Sequence, residues 1–169
     1  MMACAIVMAL LLTPGSDKPG DQGADARSQI NAILDDWHAQ AAKADEAAYF
    51  RHMAADGVFL GTDATERWTR DEFRKWAHPY FAKGKAWSFK PRDRHLTVAP
   101  GGQVAWFDEM LDTPNLGLAR GSGVLVRDGD HWRIAQYNLS VPIPNERFAD
   151  VKKVLDAAAK APKKEGEKP

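Results

Sequence analysis

Residues 86–141 read AWSFKPRDRHLTVAPGGQVAWFDEMLDTPNLGLARGSGVLVRDGDHWRIAQYNLSV, and the spacing of the apolar side chains in this stretch decides the fold. Apolar and polar residues alternate with a period of two, the pattern of half-buried strands. Strands are predicted at about residues 86–99, 103–112, 118–127 and 131–141. Pro100-Gly101-Gly102 and Asp128-Gly129 supply tight turns, so the strands form an antiparallel meander. Trp87 and Phe89 share one parity while Leu96 and Val98 share the other. A β-bulge near Pro91 would reconcile them and bend the sheet there.

Upstream the period changes to that of helices. Ile30, Ile33, Leu34, Trp37 and Ala41 form one stripe on a helix over about 27–44. Asp45 can cap a short second helix carrying Ala48, Phe50 and Met53, which Gly57 ends before a short strand, Val58-Phe59-Leu60. Thr69 with Glu72 is a capping box, followed at helical spacing by Phe73, Trp76, Ala77, Tyr80 and Phe81. Pro79 is expected to kink or shorten this helix before Gly84 closes it. A last helix over 145–159 has Phe148, Val151, Val154 and Leu155 on its apolar side.

The chain has 169 residues, 44% apolar and 27% charged, which fits one globular domain. Lysine and arginine number 23, as do aspartate and glutamate, so no global field attracts nucleic acid. The only cysteine, Cys4, precludes an intrachain disulfide. Ala3 to Leu12 is an apolar run resembling the core of a secretory signal, so export to the periplasm or medium is expected, without a stable membrane span after processing. The expected division is a signal-like segment plus flexible linker over 1–26, the domain over 27–159, and a disordered tail over 160–169.

The order helix, helix, strand, helix and four-strand meander resembles the nuclear transport factor 2-like superfamily in its SnoaL-like branch. The residues that carry the resemblance are Ala47 to Asp56 leading into Val58-Phe59-Leu60-Gly61-Thr62-Asp63, then Thr69, Glu72 and Phe73, and finally Trp132 to Asn138. It implies an α+β cone, a strongly bent antiparallel sheet with helices packed on its concave face and a pocket at its open end. It also points to a homodimer through the outer sheet face. The superfamily holds isomerases, cyclases, dehydratases and non-catalytic domains, so the fold leaves the chemistry open.

A two-residue Asp128-Gly129 turn would set Leu125 opposite Trp132, Gly123 opposite Ile134, Gly121 opposite Gln136 and Ala119 opposite Asn138. Gln136 and Asn138 facing glycine and alanine are then either a pocket floor or ties between elements. The other face would carry Val124, Val126, Ala135, Tyr137 and Leu139, apolar enough to need a cover. A second copy or the C-terminal helix could supply it. Asp108 and Glu109 interrupt the apolar run of their strand, and only one of them can face inward. That one is either a general base with a pKa raised by an aromatic pocket or half of an ion pair with Arg120, Arg92 or Arg94. Trp68 in the loop before the capped helix, Tyr80, Trp106, Arg120, Gln136 and Asn138 make up the candidate ligand-binding set. The five histidines lack metal-ligand spacing, and no glycine-rich phosphate loop occurs, so neither a metal nor a cofactor is expected. Three functions remain: a binding domain for a small, mostly apolar molecule; a cofactor-free isomerase, cyclase or dehydratase using Asp108 or Glu109 as base; or an assembly module whose cone is filled by Trp68, Trp76, Trp106 and Trp132.

Overall fold

The computed structural model describes residues 19–160. Helix α1 (Pro19–Ala42) is followed by α2 (Glu46–Arg51), β1 (Met53–Leu60), β2 (Arg67–Thr69) and α3 (Arg70–Ala82). Strands β3 (Lys90–Val98), β4 (Val104–Thr113), β5 (Gly117–Asp128) and β6 (His131–Ser140) come next, then a 3-10 turn (Asn145–Arg147) and α4 (Phe148–Lys160). The strands make one curled sheet in the order β2-β1-β6-β5-β4-β3. The cone and its α+β class are as expected, with one correction to the sheet: β1 runs parallel to β6, and all other pairs are antiparallel.

The helix ends follow from local chemistry. The Asp45 carboxylate accepts the Ala48 N–H at 2.9 Å at the start of α2. Thr69 and Glu72 form the reciprocal box at the start of α3. Helix α3 runs through Pro79 to Ala82, where the sequence suggested a kink or an early end. Its last turn is anchored by Phe81, only 5% exposed, and the carbonyl that Pro79 leaves free belongs to solvent-exposed Lys75.

Several boundaries differ from the sequence reading. Helix α1 starts at Pro19, inside the expected linker, because Ala26 is buried in the core and the Arg27 guanidinium donates to the Leu96 carbonyl. Met53 belongs to β1 rather than α2, pairing with Ile134 of β6. The bulge in β3 falls between Arg92 and His95, with Asp93 at φ +50°, just beyond Pro91. The apolar run at residues 3–12 and the tail beyond Lys160 lie outside the described residues. None of the described helices is long and apolar enough to cross a membrane.

The last hairpin turns on Gly129-Asp130, not Asp128-Gly129, since Asp128 pairs with His131. Gly129 adopts φ +60°, as the first position of a two-residue turn can require. A second shift follows, with Leu125 opposite Ile134 but Val124 opposite Gln136, leaving Ala135 as the extra residue. Trp132, Ile134, Tyr137 and Leu139 therefore all face the core. Gln136 and Asn138 turn to the outer face, which corrects both the amide floor and the outward placement of Tyr137 and Leu139.

Thr69→Ala removes one half of the capping box and should lower the unfolding free energy by about 1 kcal/mol. Urea denaturation measures it, and an unchanged midpoint would contradict the role given to the cap.

Candidate functional site

Strand β4 alternates strictly, with Ala105, Phe107, Glu109 and Leu111 buried and Val104, Trp106 and Asp108 exposed. Glu109 is the inward carboxylate and is fully buried. Isolated burial of a carboxylate costs several kcal/mol, so partners must converge on it. His38 of α1 places Nε2 2.7 Å from Glu109 Oε1, and Arg94 of β3 places Nε 2.7 Å from Oε2. The bulge at Asp93 is what brings Arg94 inward. Arg94 continues to Asp35 of α1, 2.8 Å away, and donates to the Asn31 side chain at 3.2 Å.

Tyr137 stands beside the same carboxylate. A Cβ on Gly121 would collide with Tyr137 Oη and lie 3.3 Å from Glu109 Oε1, so glycine is required there by close approach. Burial is the largest influence on the Glu109 pKa and would raise it. The His38 hydrogen bond and charge, with the charge and hydrogen bond of Arg94, outweigh burial and hold it below the ordinary carboxylate range. Burial and the neighbouring Glu109 charge push the Tyr137 phenol well above its ordinary value.

Farther toward the open end is a cleft of about 480 Å³. Its walls are aromatic: Phe59 from β1, Trp68 from β2, Phe73 and Trp76 from α3, and Trp87 and Phe89 from the segment entering β3. Several rings are close to parallel. Phe59 and Phe73 stack at 3.9 Å and 15°, Trp68 and Phe73 lie 8° apart, and Trp68 and Trp76 stack at 4.9 Å and 25°. Trp76 remains 42% exposed at the mouth. The rim is polar, with Thr62, Glu66, Ser88 and Asn115. Glu66 folds back over Gly61, where any Cβ would strike its carboxylate, and accepts the Asp63 N–H at 3.1 Å.

With that geometry in place, the chain can be compared with known proteins. The model of the SnoaL-like domain matches residues 30–144. The chain belongs to the SnoaL-like domain family. No curated protein matches it with significance. Among solved structures, a protein of unknown function from Mycobacterium tuberculosis aligns with a TM-score of 0.64 at 19% identity, covering 90% of this chain and all (100%) of that one. An NTF2-like protein of unknown function from Pseudomonas putida gives 0.62 at 16%, covering 73% and 91%. A candidate scytalone dehydratase from Novosphingobium aromaticivorans gives 0.62 at 9%, covering 73% and 89%. At such identities the likeness concerns the fold.

Within this SnoaL-like cone, Trp68 is the member of the expected ligand-binding set that lines the cleft. Tyr80 stands outside it on α3, 47% exposed, next to Trp76 at 5.1 Å. Neither Trp76 nor Tyr80 is core, although their spacing suggested so. Trp106, Arg120, Gln136 and Asn138 lie on the outer sheet face, since their neighbours Phe107, Ala119 and Tyr137 point inward. Asp108 is also outward, opposite His95 and Ser122. The ion pair with Arg94 is made by Glu109, not Asp108. His38, Tyr137, Trp87 and Phe89 were not singled out from sequence for the roles they hold, whereas Arg94 was among the arginines offered as ion-pair partners of the inward carboxylate. His38 could have been, because it sits one helical repeat after Leu34 on the buried stripe.

A carboxylate with a depressed folded pKa stabilises the protein above its unfolded value and loses that contribution as pH falls through the folded one. Carboxyl NMR should show Glu109 titrating below the ordinary glutamate range, with stability declining over the same acid interval. A Glu109 midpoint above that range would contradict the network.

Proposed function

We propose that the domain binds a small, flat, mostly apolar molecule in the aromatic cleft. One observation carries this: near-parallel rings of Phe59, Phe73, Trp68 and Trp76 line a cleft of about 480 Å³, a size suited to small molecules. Stacking on such rings adds about 0.5–1.5 kcal/mol per pair beyond area burial. The polar rim would orient a substituent. The alternative, an isomerase, cyclase or dehydratase with Asp108 or Glu109 as base, has less support. Asp108 faces away from the cleft, and Glu109 lies outside its lining with its charge committed to His38 and Arg94.

The same proposal includes a homodimer. Val104 and Trp106, 38% and 49% exposed, lie on the outer sheet face opposite Val126 and Val124, and an apolar patch of this kind favours a partner. A twofold copy of the same face is the commonest soluble solution. Export rests on the Ala3 to Leu12 segment alone; mass spectrometry of the mature chain, finding a start before Leu12, would refute it.

Naphthol, titrated against tryptophan fluorescence, should quench saturably, and Trp76→Ala should weaken it about five- to tenfold, as loss of one stack implies. Tyr80→Ala should leave it unchanged. Absence of saturation, or equal affinity in Trp76→Ala, would refute the cleft assignment. In analytical ultracentrifugation, Trp106→Asp should convert a dimer to a monomer; a wild-type monomer would refute the dimer.

A further inference from the structure

The charge balance of the aromatic cleft narrows what it can hold. Among the described residues that line it, Glu66 is the one that carries a charge, and lysine, arginine and histidine do not contribute to the wall. The loop between β1 and β2 fixes Glu66 in place. Its carbonyl accepts the Gly61 N–H at 2.8 Å, its own N–H reaches the Asp63 carbonyl at 3.0 Å, and the Asp63 carboxylate accepts the Thr65 N–H at 2.8 Å. The Glu66 side chain packs against Gly61, itself part of the cleft wall, and Oε2 accepts the Asp63 N–H. Nearby arginines are directed elsewhere. Arg67 precedes Trp68 on β2 and so points to the other side of the strand, and Arg70 pairs with Asp71 at 3.0 Å.

Ring faces supply the rest of the wall. Trp68, Trp76 and Trp87 all pack against Phe73, with Trp68 and Trp76 4.9 Å apart and Trp76 and Trp87 6.4 Å apart at 37°. The face of an aromatic ring carries the negative part of its quadrupole, and among side chains indole attracts a cation most strongly. Moving a charge from water into such a cleft is costly unless ring faces or an opposite charge replace the lost solvation. Here a cation would meet both, whereas an anion would meet neither a cationic partner nor a favourable ring face.

We propose that the occupant of this cleft is an organic cation: a small, flat molecule bearing a quaternary or N-alkylated ring nitrogen, held between the indole faces and Glu66. A primary ammonium brings three N–H donors that each need an acceptor, and ring walls do not supply them. A nitrogen without N–H makes no such demand, and a delocalised charge is more weakly hydrated than a compact ammonium. This inference rests on the reading of the cleft as a small-molecule site and adds the charge of the molecule it takes.

N-methylquinolinium and 1-methylnaphthalene share one shape and differ in charge, so calorimetric titration of the whole protein with each separates the two contributions. The cation should bind at least about tenfold more tightly, within the range of a desolvated cation–ring contact. Glu66→Gln keeps a carbonyl oxygen for the Asp63 N–H and should cut that preference about fivefold, as should Trp76→Leu, which keeps an apolar wall without the ring face. The ratio of the two affinities is the readout, because a loss of cleft shape would weaken both compounds together. Circular dichroism confirms that each variant is folded. Equal affinities, tighter binding of 1-methylnaphthalene, or a preference unchanged in Glu66→Gln would overturn the cation assignment and leave a site for neutral molecules. Failure of both compounds and of naphthol to bind would overturn the small-molecule reading itself.

Discussion

A carboxylate buried under a sheet is the constraint around which this cone is arranged. Glu109 is fully enclosed, so its charge has to be met by donors from other elements. They come from α1, through His38, and from β3, through Arg94. The first ties the long helix across the concave face, and the second requires the β3 bulge that turns Arg94 inward. Gly121 on β5 and Tyr137 on β6 complete the surroundings, one by lacking a Cβ and the other by filling the space so left. One charge thus constrains α1 and four neighbouring strands at once, and removing a single partner would cost more than a surface pair is worth.

Polar and apolar groups are also segregated along the inner face. Polar groups are concentrated at the Glu109 level, while the open end beyond Leu139 and Phe59 is walled by aromatic rings. Ring packing there is extensive because α3 presents Phe73 and Trp76 on adjacent turns, one to the core and one to the mouth. The cleft is therefore a continuation of the core that the sheet's curl leaves open. The buried Glu109 carboxylate lies outside the lining of this cleft.

Much of the fold was legible from periodicity and caps. Thr69 with Glu72, and Asp45, mark helix starts by side-chain chemistry that does not depend on tertiary context. Register was not legible to the same degree. Asp128, Gly129 and Asp130 offer two adjacent two-residue turns, and only the strand pairing chooses between them. The extra residue at Ala135 then changes parity, an event with no composition signal, which carried Gln136 and Asn138 outward. The choice between Asp108 and Glu109 was undecidable locally, because adjacent carboxylates differ only in parity. His38 read as an isolated histidine until Glu109, 71 residues away, was placed against it.

A double-mutant cycle between Arg94 and Glu109 tests the central claim most directly. Unfolding free energies would be measured for the wild type, Arg94→Met, Glu109→Leu and the double variant at neutral pH. If the buried pair organises the cone, each single change strands a charge and costs about 3–5 kcal/mol, while the double change costs far less than their sum. Costs that add to within about 0.5 kcal/mol would show that the two side chains act independently and would contradict the account.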